Sequence, residues 1–174
     1  MRYGLIKWND VADGPGVRVA LFVSGCRYHC KGCQNQEAQS FDFGELYTQE
    51  TKVAILRGLS KKHIQGLTLL GGEPLEKENV PELYSLVRDV KFEYNDSKDI
   101  WLYTGGVLEN VWDECDQLTR NFIKQLDVVV DGPFVLQQRD PGLAFRGSHN
   151  QRIIDIHNWL RGGNKWNLTS LYTR

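Results

Sequence analysis

The sequence predicts an α/β fold, a partial (βα) barrel-like curved parallel sheet. Three observations predict it. Apolar, β-branched segments alternate with stretches of helical periodicity, the pattern of parallel strands joined by crossovers. The first four of the five strand segments end at a glycine or at a residue just before one. The chain has 174 residues, too few for the eight strands of a closed barrel.

Val17–Val23 is β-branched and aromatic and stops at Ser24-Gly25, with Asp13-Gly-Pro-Gly16 as turn punctuation before it. A helix is expected after Thr48, with Val53, Ile55, Leu56 and Leu59 on its apolar side and Gly66 beyond its end. Residues 66–70 form a second strand that runs into Gly71-Gly72. Asn79 is an N-cap candidate with Glu82 three residues on, and Leu83, Leu86, Val87 and Val90 continue the stripe. A third strand, residues 100–103, ends at Thr104-Gly105-Gly106. Val107, Leu108, Val111, Trp112 and Cys115 then share a helical face, so Cys115 reads as a buried core thiol. A short helix over 118–126, a strand over 126–130 ending at Asp131-Gly132, and a strand over 152–156 complete the series. Residues 1–157 read as one domain. Residues 158–174 lack a period and read as a poorly ordered tail whose Trp159, Trp166 and Tyr172 either dock on a partner or tuck onto the chain itself.

Right-handed crossovers bring the loops after the strands to one edge, where α/β folds bind ligands. The chemistry-bearing residues fall at those ends. Cys26, Cys30 and Cys33 form a C-x3-C-x2-C run immediately after the first strand. Three soft ligands hold an iron–sulfur cube at three corners and leave the fourth iron open. The spacing also allows a zinc site of three cysteines with His29 or a distant histidine, and disulfide or redox roles. Cys115 is the one remaining thiol that would complete a fully ligated cluster. His63, His149 and His157 show no ligand spacing.

Bulk properties narrow the class. With 41% hydrophobic and 25% charged residues the composition is that of a soluble globular protein. A net charge of -1 gives no basic field for nucleic acid or an anionic membrane. The N-terminal residues lack the apolar core of a secretory signal, and no run approaches the ~18 apolar residues of a membrane span. Clustered thiols without an export signal indicate metal in a reducing, cytoplasmic setting.

Asp13-Gly-Pro-Gly-Val-Arg18, Leu21-Phe-Val-Ser-Gly-Cys26, Cys30, Cys33 and Gly71-Gly-Glu-Pro74 together resemble the radical S-adenosylmethionine enzymes that install glycyl radicals on partner proteins. Residues 66–75, 101–105, 129–134 and 145–152 are similar to the members of that family that act on anaerobic ribonucleoside-triphosphate reductases. The resemblance spans residues 1–157 and implies a fold of the radical S-adenosylmethionine type.

It also implies a [4Fe-4S] cluster on Cys26, Cys30 and Cys33. S-adenosyl-L-methionine would chelate the open iron and be cleaved reductively to a 5′-deoxyadenosyl radical. That radical would take a hydrogen atom from a glycine in the glycyl loop of the large reductase subunit. The implied partners are that subunit and a one-electron donor such as flavodoxin. Gly71, Gly72, Glu73 and Pro74 would receive the methionine amino group. Gly32, Cys33 and Gln34 would lie against the adenine, and Thr104 and Asp131 would line the pocket. No side chain is implied as a general acid or base.

Three positions depart from the family. Gly32 and Gln34 stand beside the third cysteine where relatives often carry an aromatic, leaving Tyr28 or Tyr103 as the aromatic face, and Gly106 also replaces an aromatic. Arg146, Asn150 and Arg152 match a late motif without an assigned role. Pyruvate formate-lyase activation is the alternative within the same chemistry. A zinc-stabilised binding module and an iron–sulfur electron carrier are the alternatives outside it.

Overall fold

A computed structural model describes residues 1–163 and 166–172. The chain opens on a strand absent from the reading above, β1 (Arg2–Asp10), which turns through the Asp13-Gly-Pro-Gly16 segment into β2 (Val17–Val23) and pairs with it antiparallel. The two-residue β3 (Glu45–Leu46) covers only the start of β1. Thereafter strands and helices alternate: α1 (Gln49–Leu59), β4 (Ile64–Gly71), α2 (Val80–Tyr94), β5 (Asp99–Tyr103), α3 (Leu108–Glu114), α4 (Gln117–Ile123), β6 (Val128–Asp131), β7 (Arg152–Asp155) and α5 (Ile156–Leu160).

The strands make one seven-stranded sheet in the order β3-β1-β2-β4-β5-β6-β7. Its centre, β2-β4-β5-β6, is parallel as expected. Among the described residues the sheet is open, with β3 and β7 at its edges, so no barrel closes. The strand over 152–155 differs from expectation, for it runs antiparallel to β6. The connection explains this. Residues 132–151 hold only a 3₁₀ turn at Leu136–Gln138, and without a crossover helix the chain turns back beside β6.

Strand alternation sorts the side chains onto two faces. Val19, Leu21, Val23, Leu67, Leu69, Ile100, Leu102, Val129 and Ile154 face the helices and join Ile55, Leu83, Leu86, Leu108, Phe122 and Ile156 in the main core. All five helices pack on that face. Trp101, Val128, Val130 and Ile153 face the other way, under Tyr103, Phe145, Leu168 and Tyr172. The end of the chain is therefore a cover for this second face. Of the two readings of the residues after 157, tucking onto the chain itself is the one its described apolar residues follow, and residues 164, 165, 173 and 174 lie outside the described residues. Trp159 and Trp166 pack on the main core.

Thr48 caps α1 as expected: its side chain accepts from Thr51 N in a reciprocal capping box. Asn79 occupies the N-cap position of α2 but makes no capping bond. Pro81 removes one of the N–H groups a cap would bind, and the buried amide turns inward instead. Cys115 is likewise corrected. It is the half-buried C-cap of α3, where its thiol donates to Trp112 O at 3.7 Å, because α3 stops at Glu114.

Candidate functional site

The site begins where β2 and β4 end. Their pairing continues past the strands: Gly72 N donates to Val23 O at 2.7 Å and Glu73 N to Gly25 O at 2.8 Å. On the other side of the cysteine loop, Gly25 N donates to Ala38 O and Cys26 N to Gln39 O. The loop is thus held between the Gly71-Gly72-Glu73 turn and the 3₁₀ turn Glu37–Gln39. Glycine is required at Gly71, where φ is 111° and a Cβ would stand 2.7 Å from the backbone of Val23.

Asn79 joins the two loops from below, donating through Nδ2 to Ser24 O at 3.0 Å and to Glu73 O at 2.9 Å. From above, Arg27 pairs with Glu76 and Glu78 and lies over the Phe41 ring. Within the loop Cys33 N donates to Cys30 O, and Cys33 Sγ accepts from Asn35 N at 3.4 Å. Asn35 Nδ2 reaches Gly71 O at 3.4 Å.

All four cysteines are free. Cys26, Cys30 and Cys33 line a cavity of about 280 Å³ together with Tyr28, Gln34, Gly71, Gly72, Glu73, Tyr103, Thr104 and Gly105. Burial raises the Cys26 thiol above its ordinary value. Glu73 is 2% exposed and braces the far wall, its carboxylate accepting from Leu75 N, Gly105 N and Thr104 Oγ1 at 2.9, 2.8 and 3.1 Å. Burial pushes this carboxyl up to about 7 against the pull of those donors. The Tyr28 ring lies on Gly105 and its hydroxyl on Gly106, since a Cβ on either glycine would stand 2.7 and 2.6 Å from them. Burial pushes its phenol up to about 12.

Three of the expected residues stand outside the lining. Gly32 is in the loop but faces the Leu136 side chain. Pro74 is buried behind the wall. Asp131 is fully buried and fully engaged: it accepts from Leu108 N at 2.8 Å, fixing the start of α3, and pairs with Arg152, which also holds Glu109. His29 is exposed and hydrogen-bonds to Gln39, as suits a loop residue.

Several wall residues were given no site role by the sequence, although all but Leu143 fall in segments that resemble the family. Phe134, Leu143, Phe145, Arg146, Gly147 and Gln151 come from the segment after β6, which has neither helical nor strand period. Arg18 was visible only as part of a motif. It is fully buried beneath the site and donates to Thr68 Oγ1, Pro15 O, Leu67 O and Asp99.

The donor set fits an iron–sulfur cube. Three free thiols line one cavity, the number that holds a cube at three corners. Cys115 lies beyond the far end of the seven-residue α3, about 10 Å of helix from the strand ends.

The comparisons agree with that donor set. Residues 12–154 match the family described as a 4Fe-4S single cluster domain. The anaerobic ribonucleoside-triphosphate reductase-activating protein of Vibrio cholerae is 46% identical over 83% of this chain and 91% of its own length. Those of Escherichia coli K12 and of bacteriophage T4 are 39% and 41% identical, over 83% and 88% of this chain and 92% and 93% of theirs. The chain belongs to the anaerobic ribonucleoside-triphosphate reductase-activating proteins. In this member of the family the three cysteines share one cavity wall, and no helix is long and apolar enough to cross a membrane among the described residues.

Proposed function

We propose that this chain is a radical S-adenosylmethionine activase that generates a glycyl radical on the large subunit of an anaerobic ribonucleoside-triphosphate reductase in the cytoplasm. One observation carries the reading: three free thiols on one wall of a cavity face the glycine turns at the ends of β4 and β5, with the fourth thiol at the wrong end of α3. Such a cluster with its cosubstrate supplies reductive cleavage of the sulfonium carbon bond and hydrogen abstraction from a glycine Cα, given one electron from a donor such as flavodoxin.

The chain's own residues do the holding. Cys26, Cys30 and Cys33 are the ligands. Gly71 and Gly72 offer main chain without side chains, and Gln34 and Thr104 complete the walls. Glu73, already accepting three hydrogen bonds, braces the glycine turn. Pro74, Gly32 and Asp131 support the rim from outside the cavity. Leu70, Phe134, Leu143 and Phe145 exclude water from a radical that water and stray hydrogen donors would quench. The relatives' names favour the reductase over pyruvate formate-lyase as partner.

Anaerobic reconstitution tests this. Wild type and Cys115→Ala should bind about four irons and four sulfides per chain, and Cys30→Ala should not. Reduced protein with S-adenosylmethionine should release 5′-deoxyadenosine and methionine, and the reductase should then show the electron paramagnetic resonance doublet of a glycyl radical. One zinc and no iron, or a cluster that needs Cys115, would overturn the proposal.

A further inference from the structure

A second, larger hollow of about 830 Å³ adjoins the cysteine cavity. Asp140, Gly142, Leu143, Arg146 and His149 form one wall, and Asn167, Thr169 and Ser170 the other. Leu143 and Arg146 line both spaces, so the two adjoin at these side chains. Both walls are anchored. Arg139 pairs with Ser148 across the base of the loop, and Leu168 and Thr169 are bonded to Ile153 of β7.

Arg146 marks the junction. Among the described residues it is the one basic side chain lining the cysteine cavity. Its Nε is buried without a partner, and its one bond is a long one, 3.4 Å, from Nη1 to Gln151 O. Among the described residues no carboxylate stands within ion-pair range of it. The other buried arginine, Arg18, has four partners including a carboxylate. A half-buried guanidinium with spare donors is costly unless an acceptor arrives from outside.

The direction of arrival follows from the sheet. The cysteine loop follows β2 and the Arg146 loop follows β6, three strand spacings or about 14 Å apart. A glycine that gives up hydrogen must approach from the side the cluster ligands do not fill.

We propose that this hollow is the docking groove for the partner's glycine-bearing loop. The loop lies extended between residues 140–149 and 167–170, and its main-chain carbonyls accept from Arg146. This rests on the function proposed above. The planar fork of arginine suits peptide carbonyls, and an anchored, polar groove suits a segment whose reacting residue has no side chain to recognise.

The test uses reconstituted holoenzyme and the intact reductase. Gly142 is exposed, and a Cβ there would meet only the Asp140 carboxylate, at 3.1 Å, so Gly142→Trp places an indole at the groove wall. It and Arg146→Ala should each weaken reductase affinity at least tenfold and lower the glycyl radical yield in parallel, with wild-type iron content and melting temperature. Arg146→Lys should recover part of the affinity. Wild-type affinity in both variants overturns the groove, and so does radical loss at unchanged affinity, which would make Arg146 a cofactor residue. A wild-type protein that binds the reductase but gives no doublet counts against the proposed function and leaves the binding comparison valid.

Discussion

Two residues beneath and beside the cavity show how much of the site depends on buried charge. Arg18 is enclosed on all sides, and its guanidinium serves Thr68, two strand carbonyls, Pro15 O and Asp99 at once. Arg18→Met should cost about 3 kcal/mol in urea unfolding, because the carboxylate and carbonyls left behind lose their only cation. Asp13 shows the opposite arrangement. It lines the cavity, Lys7 is 3.8 Å away, and burial followed by the neighbouring Asp10 pushes its carboxyl up from 3.8 to about 6. A raised carboxyl stabilises the fold fully below 3.8, and that contribution is lost as pH rises through 6. The melting temperature of wild type relative to Asp13→Asn should therefore fall across this window. Neither property was legible from the residues themselves. Asp13-Gly-Pro-Gly-Val-Arg18 marks a family, but whether an arginine there is buried depends on Asp99, eighty-one residues away.

At the level of elements the site is a set of loops tied to strand ends. Asn79 makes the central tie, since one amide holds both the residue after β2 and the carbonyl of Glu73. Asn79→Ala should cost about 2 kcal/mol in denaturant unfolding and should lower the iron retained after reconstitution, because the cysteine loop and the glycine turn are no longer held at one separation. The period of the chain was a sound guide to β2, β4, β5 and β6 and to α1 and α2, where apolar spacing and packing agree. It failed where tertiary contacts decide. β1 has mixed burial and no clear alternation, and its edge is covered only at Arg2 and Tyr3. Asn79 reads as a cap from its position, but Pro81 and the two nearby carbonyls redirect it. The cysteines and glycine turns were legible because ligand chemistry and backbone freedom restrict residue type. Asp131 was misplaced because an Asp-Gly pair at a strand end looks the same whether it faces a cavity or a helix start.

Over the whole molecule the second sheet face is covered by a small, mainly aromatic cluster. Trp101, Phe145 and Tyr172 pack edge to face at centroid distances of 5.3 to 5.8 Å, and they join the sheet, the loop after β6 and the chain end. Tyr172→Ala should destabilise by about 2 kcal/mol in unfolding measurements, less than a fully buried aromatic because the residue is half-exposed. This cover was only half legible in the sequence: its aromatics stood out, but without a period nothing chose between docking on a partner and tucking onto the chain until the sheet offered them a surface. Its position in the chain has a consequence for maturation. By residue 131 every strand of the parallel centre and all three thiols have been synthesised, whereas the roof is still to come. Under the function proposed above, a nascent polypeptide would present these sulfurs to an iron carrier before the roof is made, so that metallation would not require a finished protein to open.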